Sequence, residues 1–201
     1  MPRDPGRNHV RAQIAQLAAR LMAEDGVEDY AQAKRKAARQ VGAADARQMP
    51  DNTEIAAALK QYRELFQPDH ASELRMLRQL ALDIMREFAA FDPHLVGSVL
   101  NGSAGRYADI HLQLFSDSTK SVEHFLLGHD IRFRGGETRL FAGDMPLAAP
   151  VLSFNRQGYD VHLTVLSPRD RRLQWKTSLD GKPIERAKPA EVAAMVAENQ
   201  S

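Results

Sequence analysis

Hydrophobic residues in the amino-terminal half of the chain recur at the spacing of a helix face. One stripe consists of Ile14, Leu17, Ala18 and Leu21, and a second consists of Ile55, Leu59, Tyr62 and Phe66. Each stripe is typical of an amphipathic helix. Asp51 stands before the second stripe as an N-cap candidate, and Asp69 stands before a further leucine-rich run that reaches Phe88. The pattern predicts about four helices before residue 92.

After residue 92 the apolar residues form short runs that are typical of strands. These runs cover residues 95–100, 110–115, 151–154 and 161–166. Gly158 lies between the last two runs and indicates a hairpin turn. Residues 118–128 begin with capping side chains and predict a helix, and Pro189 is placed in the first turn of another. The carboxy-terminal half is therefore predicted to be a mixed sheet of about four or five strands with flanking helices.

Glycine marks the change between the two halves, because only three of the twelve glycines lie in residues 1–92. The change in hydrophobic period occurs at the same place, near Asp92 and Pro93. We therefore predict an α+β protein with a helical region at 1–92 and an α/β domain at 93–201. The helical region is expected to be a platform, and a candidate surface for homodimer formation.

Composition excludes several classes of protein. Lysine and arginine, 27 in all, nearly balance the 26 acidic residues, so no global basic field attracts nucleic acid. The absence of cysteine excludes disulfides and thiolate metal sites. No apolar run approaches the roughly 18 residues of a membrane span, and no secretory signal opens the chain. We expect a cytoplasmic protein with no membrane partner.

One motif carries candidate chemistry. Gly97 and Ser98 follow an apolar run, and Asp109 opens the next apolar run with His111 two residues further on. This arrangement resembles the nucleotidyltransferase superfamily, which includes DNA polymerase β and the minimal and aminoglycoside nucleotidyltransferases. Their pattern is Gly-Ser or Gly-Gly and, about ten residues later, Asp-x-Asp or Asp-x-Glu on a strand. Here His111 stands at the second acidic position.

The resemblance implies a nucleotidyltransferase-like mixed sheet and a metal-dependent transfer of a nucleoside monophosphate from a triphosphate to a hydroxyl. Carboxylates two residues apart on a strand share a face and hold Mg²⁺ or Mn²⁺ ions. The Gly97–Ser98 turn lets the backbone approach phosphate. The implied metal ligands are Asp109, His111 and a third residue from a neighbouring strand, for which Asp160 is the first candidate and Asp144 the second.

The implied roles extend to further residues. Asp109 and Asp160 are the predicted catalytic pair, and Arg106 and Lys120 are predicted to contact the nucleotide together with Gly97 and Ser98. Imidazole is a poor replacement for a carboxylate that bridges two Mg²⁺ ions. Asp109, His111 and His162 form an alternative ligand set, suited to Mn²⁺ or Zn²⁺.

Three functional hypotheses follow from these residues. The first is an active nucleotidyltransferase whose acceptor is a small molecule, a protein or RNA. The second is a catalytically degenerate relative that binds a nucleotide or a protein partner. The third is a docking or dimerisation protein that uses its helical half. Two local basic patches, around Lys34–Lys36 and around Arg169–Arg172 with Trp175, are candidate contacts for a polynucleotide.

Overall fold

The computed structural model describes residues 5–24, 27, 29–42, 49–67, 69–105, 108–177 and 183–198. These residues form α-helices and one six-stranded mixed sheet, so the protein is of the α+β class. The chain divides by its internal contacts into two compact units. The helical unit comprises Met1–Glu73 with Ser103–Tyr107, and the sheet unit comprises Leu74–Gly102 with Ala108–Ser201.

The described part of the helical unit consists mainly of α1 (Pro5–Glu24), α2 (Tyr30–Val41) and α3 (Asn52–Phe66). Helix α1 packs against both of the others. Most of the two predicted stripes is buried in one apolar cluster, which includes Ile14, Ala18, Leu21, Ile55 and Leu59. Leu65 and Phe66 lie outside it, with 75% and 67% of their surfaces exposed.

The ends of α2 and α3 follow from local sequence. Asp51 is the N-cap of α3, and its side chain accepts from the Glu54 amide while Glu54 accepts from the Asp51 amide. This reciprocal capping box provides acceptors for two backbone N–H groups that have no partner within the helix. Asp29 caps α2 through the Gln32 amide, and Gly42 ends α2 in the left-handed conformation. The helix entry predicted at Asp51 is confirmed.

Helix α4 (His70–Glu87) runs from the helical unit into the sheet unit, to which it belongs from Leu74 onward. After it, the buried Phe88 ring lies 4.8 Å from the ring of Phe125 and 6.2 Å from that of Phe154. The division by contacts therefore differs from the boundary predicted at residues 92 and 93. The reason is that the leucine-rich face of α4, although helical as predicted, is buried in the sheet unit.

The sheet unit contains six strands: β1 (His94–Val96), β2 (Ile110–Phe115), β3 (Arg134–Ala142), β4 (Met145–Arg156), β5 (Tyr159–Leu166) and β6 (Trp175–Lys176). Their order in the sheet is β1-β2-β5-β4-β3-β6. Strands β2 and β5 run parallel, and the other neighbours are antiparallel. Three helices complete the unit: α5 (Ser98–Asn101), α6 (Thr119–Gly128) and α7 (Pro189–Glu198).

The strands predicted at 110–115, 151–154 and 161–166 are confirmed, as is the hairpin at Gly158. The prediction for 95–100 is wrong in its second half, because Gly97 has φ 78° and the chain turns there into α5. Strands β3 and β6 were not predicted. Most of β3 is exposed, with Leu140 its one buried residue, so that it lacks the apolar alternation by which strands are recognised.

The two faces of the central strands differ in character. Ile110, Leu112 and Leu114 of β2 are buried on one face, which is the face of Val161 in the neighbouring β5. Phe154 pairs with Val161, so the Phe88 ring packs on this same face. The residues that alternate with these along each strand point to the opposite face. That second face carries the polar residues of β2 and β5.

Candidate functional site

Strands β2 and β5 bring three polar side chains together at one end of the sheet. His111 of β2 is paired in register with His162 of the parallel β5, so both imidazoles project from the same face. Asp109 directly precedes β2 and lies on that face. We refer to Asp109, His111 and His162 as the histidine–aspartate cluster.

The cluster is compact. Each of its residues offers one ligand atom, and these atoms all lie within 4.8 Å of one another. His162 Nε2 is 3.1 Å from Asp109 Oδ2. The two imidazole rings stack with their centroids 4.9 Å apart and an angle of 18° between their planes. Among the described residues, this is the one group of three or more histidine and acidic side chains with such spacing.

Ser153 orients the His162 ring from the other side. Strand β4 places Ser153 opposite His162, and the Ser153 Oγ lies 2.8 Å from His162 Nδ1. Because an ionised carboxylate only accepts, the hydrogen bond to Asp109 requires a proton on Nε2. With neutral imidazole, Nδ1 then accepts from the Ser153 hydroxyl. Sequence reasoning missed Ser153, although its alternation with Leu152 and Phe154 signals a polar face of the strand.

The cluster is open to solvent. The Asp109 side chain is 45% exposed and the His162 side chain 25% exposed, so an ion or small anion reaches both. The carboxylate and the imidazoles are nevertheless fixed by strands. Backbone ladders on both sides of β2 and β5 hold them in place.

Gly97 adjoins the cluster. Val96 pairs with His111 across β1 and β2, and a Cβ built on Gly97 would lie 3.5 Å from His111 Cδ2. Gly97 has φ 78° and ψ −155°, a conformation that is essentially restricted to glycine. Ser98, by contrast, is only 2% exposed. Its hydroxyl is not on the surface beside the cluster, which differs from the phosphate contact expected of it.

Asp160 lies at the same end of the sheet but outside the cluster. It is exposed, and its carboxylate accepts from the Asn155 amide at 3.0 Å. The third member of the cluster is His162, so the structure assembles the alternative ligand set in place of Asp109, His111 and Asp160. Asp144 lies in the turn between β3 and β4, at the opposite end of β4 from Ser153.

Two of the other sequence candidates, Lys120 and Trp175, are not brought to the cluster. Lys120 lies in the first turn of α6, which follows the far end of β2. That end is about 17 Å from the Asp109 end of the strand, at roughly 3.4 Å per residue. The Lys120 backbone amide donates to the Ser118 hydroxyl. Arg106 lies outside the described residues. Trp175 is only 4% exposed, so its ring is not available to stack on a base.

The ligand set does not fit a pair of Mg²⁺ ions. Mg²⁺ demands oxygen ligands, and a two-ion site needs carboxylates that bridge. The cluster offers one carboxylate and two imidazole nitrogens. Imidazole suits Zn²⁺ and the other later transition metals better. Chemically, the cluster is a candidate site for one such ion or for an anion that accepts from imidazole N–H groups.

Comparison with known proteins identifies no relative. The chain matches no family model, no curated protein and no solved structure. Among the described helices, none combines the length with the apolar character needed to cross a membrane.

Proposed function

We propose that the sheet unit is a nucleotidyltransferase-like domain that binds a nucleoside triphosphate and has lost magnesium-dependent transfer. The observation that carries the proposal is the composition of the cluster. It lies where the Gly97 turn meets β2 and β5, yet holds one carboxylate in place of the two that such catalysis needs. On this proposal the domain keeps the position of the site and only one of its two magnesium-binding carboxylates.

Phosphate recognition in this domain falls to an imidazole and the backbone. The imidazole N–H group of His111 donates to a phosphate oxygen, and a charged imidazolium strengthens the contact. Gly97 is exposed and has no side chain, so a phosphate approaches the chain closely beside His111.

The test is calorimetric titration of the four nucleoside triphosphates, with and without Mg²⁺ or Mn²⁺, together with an assay for pyrophosphate release. We expect binding of at least one triphosphate and no release. Replacing His111 by Ala should weaken binding by roughly tenfold, the loss typical of one hydrogen bond to a charged group. His124→Ala, at an exposed position on α6, is the matched control. Absence of binding to all four would refute the proposal.

An active nucleotidyltransferase is the second candidate, because Asp160 keeps a carboxylate near Asp109. Parallel pairing of Ile110 with Val161 makes Asp109 and Asp160 neighbours at the entry of adjacent strands. In this reaction the acceptor oxygen attacks the α-phosphorus, the bond to pyrophosphate breaks, and the hydroxyl proton passes to a base such as Asp160. Pyrophosphate release that Asp109→Asn and Asp160→Asn both abolish would favour this candidate.

The acceptor and the oligomeric state remain predictions. Leu65 and Phe66 give the end of α3 an exposed apolar surface, which supports the candidate homodimer surface in the helical unit. Lys34–Lys36 lie on α2, whose opposite face buries Ala33 and Ala37. This arrangement is the ordinary one for a solvated helix face.

A further inference from the structure

We infer that the histidine–aspartate cluster binds a single divalent transition-metal ion of the Zn²⁺ class. Two imidazole nitrogens and one carboxylate oxygen form the set of three protein ligands found in zinc sites that keep an open position. The three atoms already lie within 4.8 Å of one another on two hydrogen-bonded strands. Zinc binding requires no nucleotide, so it can be tested independently of the proposed function.

The distances suit one ion after a small adjustment. Bonds of about 2.0–2.2 Å place tetrahedral ligand atoms about 3.4 Å apart. His162 Nε2 and Asp109 Oδ2 are close to this separation, at 3.1 Å. The stacked rings must turn so that their lone pairs converge on the ion, and the χ2 torsion of histidine is broad enough to allow it. Three ligands leave a fourth position for water or for an oxygen of a bound molecule.

Ser153 supports zinc binding by changing the direction of its hydrogen bond. In the metal-free cluster the His162 Nε2 proton is donated to Asp109, and Ser153 donates to Nδ1. When Nε2 binds zinc, the neutral ring changes tautomer: the Nε2 proton passes to water, Nδ1 takes up a proton from water, and the Nδ1–H group donates to Ser153 Oγ. A hydroxyl serves in either direction because it rotates. Such a partner fixes the tautomer and orientation of a ligating histidine.

The same ligands discriminate between metals. Affinity of nitrogen and oxygen sites rises from Mn²⁺ through Co²⁺ to the later metals, and Mg²⁺ binds imidazole poorly. We expect Zn²⁺ and Co²⁺ to bind more tightly than Mn²⁺, and Mg²⁺ to bind weakest. A site built only from carboxylates would discriminate less strongly against Mg²⁺ and Mn²⁺.

The experiment uses the full chain, freed of metal by a chelator, without nucleotide. Zn²⁺ affinity and stoichiometry are measured by calorimetry, and Co²⁺ is added as a visible probe whose absorption reports the ligands. We expect one ion per chain and an order of affinity as above. His111→Ala and His162→Ala should abolish tight binding, whereas His124→Ala, at an exposed histidine outside the cluster, should not change it.

Two substitutions of Ser153 distinguish an effect on zinc ligation from an effect on folding. Ser153→Ala should lower Zn²⁺ affinity by about 10–100-fold, the usual effect of removing the partner of a ligating histidine. Ser153→Thr keeps the hydroxyl and should restore most of the affinity. Circular dichroism checks that each variant is folded, and His111→Ala decides the outcome if His162→Ala does not fold. Wild-type protein without stoichiometric Zn²⁺ binding, or equal affinity in a folded His111→Ala variant, would overturn zinc binding at the cluster.

Discussion

At the scale of single residues, the backbone conformation of Gly97 connects the turn to the cluster. Its φ of 78° and ψ of −155° allow the chain to leave β1 and enter α5 within one residue. A side chain there would also meet the His111 ring, at a distance of 3.5 Å that is ordinary van der Waals contact. Backbone strain, and not lack of space, therefore dictates glycine at this position.

Replacing Gly97 by alanine is expected to destabilise the sheet unit by about 1–3 kcal/mol, the cost of holding a side-chain residue in this conformation. Urea unfolding followed by circular dichroism measures it. Gly128→Ala is the matched control, since Gly128 ends α6 without a positive φ and has open space around it. The control should be neutral or gain up to about 1 kcal/mol. Equal stability of the two variants would contradict the assigned backbone conformation.

At the scale of elements, helices α1 and α3 are joined by a charged contact at the helix entry. Arg11 Nε and Nη2 donate to the Glu54 carboxylate, with a shortest distance of 2.6 Å. The hydrogen bonds from Arg11 lower the pKa of Glu54 below its usual value. The pKa of Asp51 is lowered mainly by the backbone amide of Glu54. Capping and tertiary contact thus involve the same side chains.

The stability of the helical unit is expected to fall at low pH, because protonation of Glu54 weakens its contact with Arg11. The pKa of Glu54 is lowered in the folded protein from its ordinary value of 4.5. The stability that ionised Glu54 contributes is therefore fully present above pH 4.5 and is lost as the pH drops through the folded pKa. The loss should stay below about 1 kcal/mol, since the Glu54 side chain is 40% exposed and solvent screens the pair. Unfolding measured between about pH 6 and 3 should show a shallower decline for Glu54→Gln. An unchanged decline would exclude the contact as its source.

At the scale of the whole molecule, the chain forms two units that the linear order does not separate. Ser103–Tyr107 belong to the helical unit although the residues on both sides of them belong to the sheet unit. Within the helical unit, the buried Arg63 donates to the Ser103 carbonyl at 2.6 Å, and His70 Nε2 lies 2.8 Å from the Ala104 carbonyl. Burial lowers the pKa of Arg63 to about 10. Because the pKa stays below its ordinary value, the contacts of this guanidinium only partly offset the cost of desolvating it.

Zinc is expected to stabilise the sheet unit selectively. At a free concentration of 100 times the dissociation constant, a ligand of the native state adds about 2.7 kcal/mol. Amide exchange in β2 and β5 should therefore slow by up to about 100-fold, while exchange in α1 and α3 should not change. His111→Ala protein should show no effect of zinc. Equal slowing in both units would mean that they open together.

The helices and most of the central strands were predictable from sequence because their determinants are local. Asp51 followed by Glu54 specifies a helix start, and the alternation in β5 specifies a half-buried strand. Strand β3 was missed because little of it is buried, so no apolar alternation marks it. Pairing with β4 along its whole length is what makes it a strand.

For the candidate site, sequence reasoning located Asp109, His111 and the Gly97 turn, since a residue pair on one strand and the turn before it are close along the chain. The choice between His162 and Asp160 as the third member depended on strand register and side-chain direction. Ser153 became visible only through its pairing with His162 in β4 and β5. The sequence by itself determined the helices, most of the central strands and the residue types available for chemistry. Tertiary structure alone decided which of them meet, because contacts between distant residues depend on register, and a shift of one residue turns every side chain to the other face.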